Sequence, residues 1–193
     1  SQDAAGDFNN DGYPDAIIGS PLINNRRGGA AIFFGADDTI NLTETEIQYD
    51  KIAELGLGVI FAGDQEDDLA GARVAGVGDI DGDGNDDVLI AAPGKSVKAD
   101  VDQDGEFEID RATCGVVYLI YVSTNLKGVL NLSDIGTQKL PGAMFVGANS
   151  ADALGAGIGY QGDQSFGIAT AGDVDGDGRR DLLIASVAAS PKN

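Results

Sequence analysis

Three ten-residue segments of this 193-residue chain are near copies of one another: Gly6-Asp7-Phe8-Asn9-Asn10-Asp11-Gly12-Tyr13-Pro14-Asp15, Gly78-Asp79-Ile80-Asp81-Gly82-Asp83-Gly84-Asn85-Asp86-Asp87 and Gly172-Asp173-Val174-Asp175-Gly176-Asp177-Gly178-Arg179-Arg180-Asp181. Each passes directly into a short apolar run, Ala16-Ile17-Ile18, Val88-Leu89-Ile90 and Leu182-Leu183-Ile184. Acidic turn and apolar run thus form one unit, used three times. A chain built this way is expected to stack similar supersecondary units, each covering the apolar face of the next.

The spacing of the acids carries the chemistry. In the second copy Asp79, Asp81, Asp83 and Asp87 stand at positions 1, 3, 5 and 9, with the carbonyl of Asn85 at position 7. Alternate groups around a tight turn converge on one point, and Gly84 at position 6 lets the backbone double back. Such a turn offers many oxygens, which suits Ca²⁺ better than the smaller, octahedral Mg²⁺. Carboxylates this close repel one another unless a cation lies between them, so ion and fold are expected to be coupled. The first copy supplies Asp7, Asn9, Asp11, the Tyr13 carbonyl and Asp15, and the third supplies Asp173, Asp175, Asp177, the Arg179 carbonyl and Asp181. One such segment alone also admits an ordinary Asp-Gly turn as the lesser alternative; three with one spacing and one following strand argue for ion sites. An EF-hand would need flanking helices and Glu at position 12, where this chain has Ile18, Ile90 and Ile184. A fourth candidate places Asp100, Asp102, Asp104, Glu106 and Glu108 at positions 1, 3, 5, 7 and 9. The longer Glu and the less apolar sequence that follows leave it open between a weaker ion site and a solvated hairpin.

The runs between the turns are short and bounded by Gly, Asp and Pro, which predicts strands over 15–19, 30–34, 58–62, 72–77, 87–91, 115–122, 143–147, 167–171 and 181–185. Short helical turns are expected within 42–55 and 131–136. Ala30-Ala31-Ile32-Phe33-Phe34 corresponds to Val116-Val117-Tyr118-Leu119-Ile120, and Phe61-Ala62-Gly63 to Phe145-Val146-Gly147. The acidic units begin near 7, 79 and 173, and the longer second interval is explained by an insertion at 95–113 and by extra residues before Asp173. The expected architecture is a single all-β domain over 1–193: about two propeller blades, with partial blade strands at the ends. A radial array needs its ring closed, so other segments of a longer chain, further copies, or another subunit are expected to complete it.

Composition narrows the function. The 12 Lys and Arg against 32 Asp and Glu argue against nucleic acid and anionic membranes as partners. With no His, imidazole metal sites and His-dependent triads are excluded. The single Cys114 allows no internal disulfide and reads as a small buried residue. No apolar stretch reaches membrane-spanning length. Asp64, Glu66, Asp67 and Asp68 read as a solvated loop.

These residues resemble the FG-GAP repeats of the integrin alpha-subunit β-propeller. Phe166-Gly167 matches the Phe-Gly element before the loop, with Ala70-Gly71 a variant; Gly19-Ser20-Pro21 and Ala91-Ala92-Pro93 are close to the Gly-Ala-Pro element after its strand; Gly115-Val116-Val117-Tyr118 is also typical. Ala185-Ser186-Val187 lacks the proline, and the insertion at 95–113 departs from the pattern. The resemblance implies a seven-bladed propeller with Ca²⁺ held in loops on one face and an extracellular or cell-surface role in adhesion. On this reading the chain is a non-enzymatic, calcium-stabilised binding module for a protein or glycan ligand, with specificity in loops such as 95–113 or 148–165. The alternatives are a structural module of an extracellular assembly and a non-catalytic domain of a secreted hydrolase. Asn41-Leu42-Thr43 and Asn131-Leu132-Ser133 fit the N-glycosylation pattern, which applies only in a eukaryotic secretory setting.

Overall fold

The computed structural model describes residues 1–36, 48–99, 109–123, 125–157 and 167–188. Its short apolar runs become strands of antiparallel meanders. β1 (Gln2–Gly6), β2 (Asp15–Gly19), β3 (Gly29–Phe33) and β4 (Gly58–Ala62) form the first blade. β5 (Arg73–Gly78) and β6 (Asp87–Ala92) open the second, a hairpin of β7 (Val97–Ala99) and β8 (Ile109–Arg111) follows, and β9 (Val116–Ile120) rejoins the blade. β10 (Gly128–Asn131) crosses over and lies parallel to β4, Gly128 opposite Val59 and Asn131 opposite Ala62, so that it covers the outer edge of the first blade. β11 (Gly142–Val146) returns to complete the second blade in the order β5-β6-β9-β11, and β12 (Ile168–Gly172) with β13 (Asp181–Ile184) begins a third.

Side-chain alternation divides the core between successive blades. Val88, Ile90, Ala92, Val116, Tyr118 and Ile120 face the first blade, where Phe8, Ile17, Ile32, Val59 and Phe61 meet them. The intervening residues Leu89, Ala91, Val117 and Leu119 face the third blade and pack with Ile168, Leu182 and Ile184. Every residue of β6 and β9 is therefore buried, which is why both read in sequence as unbroken apolar runs. In β2 only one face is covered, and Ile18 is exposed while Ile17 is not.

All nine strands expected from sequence form, within one or two residues at each end. β1, β7, β8 and β10 are additional. β1 escapes the hydrophobic pattern because Gln2-Asp3-Ala4-Ala5-Gly6 holds no bulky apolar residue. It is the innermost strand of its blade, against β5, and a Cβ at Gly76 would collide with the Ala4 carbonyl, so only small residues fit there. With β1 in place the first blade is four-stranded, and among the described residues the unfinished blade is the one formed by β12 and β13. The expected helical turns are 3₁₀ turns at Tyr49–Lys51 and Leu132–Asp134; residues 42–47 lie outside the described residues.

Among the four acids of 64–68, expected to form a solvated loop, Asp68 requires a correction. Asp68 is 3% exposed and pairs with the also buried Lys95 at 2.8 Å, and Asp64 reaches the same ammonium at 3.4 Å. The pair ties the connection between the first two blades to the turn after β6. Asp64, Glu66 and Asp67 are exposed, as expected of a solvated loop, and Glu66 and Asp67 form exposed ion pairs with Arg27 and Arg26. Cys114 is fully buried, its Sγ 3.6 Å from the Lys95 carbonyl, and burial pushes the thiol pKa up.

Candidate metal centres

Each acidic segment occupies the same corner of its blade, joining the innermost strand to the second: β1 to β2, β5 to β6, β12 to β13. In each, the strand pair is bulged immediately before the loop, at Gly6, Gly78 and Gly172, whose φ angles are 75°, 75° and 74°. Those glycines pair with the position-9 residues Asp15, Asp87 and Asp181. At position 6, Gly12, Gly84 and Gly178 also take left-handed angles of 90°, 94° and 90°. Position 4 is left-handed too, with Gly82 and Gly176 in two copies and Asn10 in the other, Asn being the side chain that best tolerates that region.

The carboxylates first organise their own backbone. Asp7, Asp79 and Asp173 accept the N–H of the position-6 glycine at 2.9, 2.9 and 3.0 Å. Asn9, Asp81 and Asp175 accept the N–H of position 5, each at 3.1 Å, and Asp11, Asp83 and Asp177 accept that of position 7 at 2.9, 2.8 and 2.8 Å. The repetition of distances follows from the repetition of residues: the side chains at positions 3 and 5 each close a turn two residues long, and the Asp at position 1 spans five residues to the glycine.

Position 9 anchors the loop to the blade. Asp87 accepts from Ile80 N–H at 2.8 Å and from Val122 N–H, beyond β9, at 2.9 Å, and is fully buried. Asp15 does the same with Phe8 and Gly35 at 2.7 and 2.6 Å. Burial pushes the Asp87 carboxyl up to about 6 and raises Asp15 as well, because a buried charge loses its hydration. Position 2 plugs the loop into the core: Phe8 is buried and lies edge-on to Phe61 at 6.4 Å. Val174, in the unfinished third blade, is 73% exposed.

Two groups of carboxylates converge closely enough for one ion, each with donor atoms within 4.8 Å: Asp79, Asp81 and Asp87, and Asp173, Asp175 and Asp177. They are candidate cation sites. The donor set is all oxygen, which fits a hard divalent cation. The second loop adds a further sign: Asn85 is 8% exposed and its amide nitrogen donates to Asp83 at 2.9 Å, while its buried Oδ1 has no partner. Asp83 and Asp181 stand outside the convergent groups, and Asp7, Asn9, Asp11, Tyr13 and Asp15 form no comparable carboxylate cluster, since Asn9 replaces one acid. The Asn9 amide instead donates to Asp11 at 2.8 Å. Tyr13 and Arg179 sit exposed at position 7.

Asp100, Asp102, Asp104, Glu106 and Glu108 lie outside the described residues, between the paired strands β7 and β8. Phe166 and the segment 41–43 also lie outside them; Asn131 and Ser133 are exposed. A residue the sequence reading passed over is Asp86, at position 8, whose Oδ2 accepts the N–H of Asp7 from the neighbouring blade at 3.0 Å. No spacing rule within one loop could reveal it.

Comparison with known proteins agrees with this geometry. A family profile, the FG-GAP repeat, matches residues 1–33. Integrin alpha pat-2 of Caenorhabditis briggsae is 34% identical over 90 residues, 46% of this chain and 7% of the relative. Integrin alpha-2 of Bos taurus is 34% identical over 116 residues, 57% of this chain and 9% of the relative. Integrin alpha-4 of Xenopus laevis is 28% identical over 184 residues, 94% of this chain and 14% of the relative. The chain thus spans only a small part of the length of the relatives it matches. With its blades unclosed as in a partial propeller, the chain is similar, at low to moderate identity, to the FG-GAP repeat region of integrin alpha subunits.

Proposed function

We propose that this chain is a calcium-stabilised, non-catalytic segment of an extracellular β-propeller that serves adhesion or ligand binding. The observation that carries the reading is the repetition of one loop at one corner of three blades, with the same glycine bulge, left-handed glycine and position-9 acid. Ca²⁺ is the ion this donor set suits best, held by Asp79, Asp81, Asp83, Asp87 and the Asn85 carbonyl, and by the matching residues of the other two loops. The ion's chemistry here is charge neutralisation of buried and crowded carboxylates, so its effect falls on folding rather than on a reaction.

Homology to integrin alpha subunits supports an extracellular setting and a non-catalytic role. Among the described residues no helix is long and apolar enough to cross a membrane. Partners of two kinds follow. The exposed β11 edge, with Met144 and Phe145, and the exposed Leu183 and Val187 of the third blade call for further propeller segments. A protein or glycan ligand would be met by variable connections such as 95–113 and 148–165.

Thermal unfolding of the chain across a calcium titration that begins in chelator tests the reading. Each site filled at a hundredfold excess over its Kd adds about 2.7 kcal/mol, so the melting temperature should climb with calcium and respond far less to magnesium. A chain already folded in chelator whose melt ignores calcium would overturn it.

A further inference from the structure

We propose that Asp86 is a positioning residue that couples the first two cation loops, so that an ion in the second raises the affinity of the first. The inference rests on the calcium reading above and adds to it a connection between sites. Asp86 lies between Asn85, the carbonyl donor at position 7, and Asp87, whose oxygens are held by Ile80 and Val122. Its placement therefore follows the closing half of the second loop. From there its carboxylate crosses to the adjacent blade and accepts the N–H of Asp7, the residue that opens the first loop. Asp7 in turn takes the N–H groups of Asp11 and Gly12, so a shift at Asp7 is passed to the middle of that loop.

The space for this contact is built into the backbone. A Cβ at Gly6 would collide with the Asp86 carboxylate, and Gly6, with its left-handed φ, stands at the bulge that immediately precedes Asp7. The next pair of blades provides an internal contrast. Position 8 of the third loop is Arg180, which lies over Gly78 as Asp86 lies over Gly6, its Cδ 3.0 Å from where a Cβ would stand. Arginine has no acceptor for the Asp79 N–H, so the same arm cannot make the same bond. The first loop also has most need of support, since Asn9 leaves it one carboxylate short of the other two.

Two cations on neighbouring blades repel through space. Without the Asp86 contact, filling the second loop should leave the first unchanged or weaken it. Positive coupling therefore distinguishes the contact from simple electrostatics.

Terbium, a luminescent substitute for calcium, reads the first loop selectively through Tyr13, the aromatic residue at position 7 where the other loops carry Asn85 and Arg179. Tyr13→Phe identifies that emission. In the full chain, disabling the second loop with Asp81→Asn and Asp83→Asn should weaken terbium binding at the first roughly five- to tenfold. Asp86→Ala should produce a loss of the same order, and adding the second-loop substitutions to it should cause no further loss. Asp86→Asn, which keeps one acceptor oxygen, should restore most of the affinity. Unchanged first-loop affinity when the second is disabled, or undiminished coupling in Asp86→Ala, overturns the proposal while leaving the calcium reading intact. Calorimetric binding of calcium without Tyr13-dependent emission removes the first site and the coupling with it, and absence of any binding heat sinks both readings.

Discussion

At the scale of single residues, position 9 does two jobs that point in opposite electrostatic directions. As a hydrogen-bond acceptor Asp87 satisfies two backbone donors, one in its own loop and one beyond β9. As a buried charge it is costly, and its carboxyl is held up to about 6 by that burial. Substitution separates the two. In chelator, Asp87→Ala strands both N–H groups and should cost about 3 kcal/mol. Asp87→Asn retains one acceptor and removes the charge, so its cost in chelator should be smaller, about 1 kcal/mol. Both variants should lose calcium response at the second loop. Urea unfolding with and without calcium measures all of these. If Asn and Ala cost the same in chelator, the hydrogen bonds are not what position 9 contributes. The spacing of the acids was legible in sequence, because each caps a donor only a few residues away. The difference between a buried Asp87 and an exposed Asp83 was not, since it depends on which side of the loop meets the blade.

At the scale of elements, the blades are joined by more than apolar contact. Lys95 and Asp68 are 27 residues apart and enclosed, and they hold the connection between blades against the turn that follows β6. Removing one partner of such a pair leaves an uncompensated charge, so Lys95→Ala should destabilise by about 3–5 kcal/mol. Lys95→Met combined with Asp68→Leu should recover most of that loss, because the desolvation of both charges disappears with them. A double-mutant cycle by chemical denaturation checks this, and a double variant no better than the single one would show that the pair does more than neutralise itself. Read along the chain, the run Asp64-Gln65-Glu66-Asp67-Asp68 offered four similar acids. Only the fold distinguishes the one beside a buried ammonium from those paired with surface arginines.

At the scale of the whole molecule, protection is graded by the number of neighbours a blade has. β6 and β9 are covered on both faces, β2 on one, while in β12 and β13 only Ile168 is buried. Native-state hydrogen exchange should therefore be slowest at Leu89, Ile90, Tyr118 and Leu119 and much faster at Ala169 and Leu183, with calcium slowing the strands beside the loops most. Uniform protection across the three sheets would mean that the blades do not unfold separately. The crossing of β10 onto β4 belongs to this scale as well: four residues from the second blade complete the edge of the first, so their exchange should follow that of β4 rather than β11.

The sequence by itself determined the repeated loop, its donor types and spacing, and the strands rich in bulky apolar residues, because each depends on residues within a few positions of one another. The tertiary structure decided what lies between units. It made a strand of Gln2–Gly6, whose small side chains carry no hydrophobic signal but fit against β5. It sent β10 to the neighbouring blade, buried Asp68 against Lys95, and set Asp86 on the backbone of Asp7 across 79 residues of chain. The physical reason is common to all four: small size, edge pairing, charge burial and a single long-range hydrogen bond leave no periodic trace in sequence, and each acquires its energy only when another blade is in place.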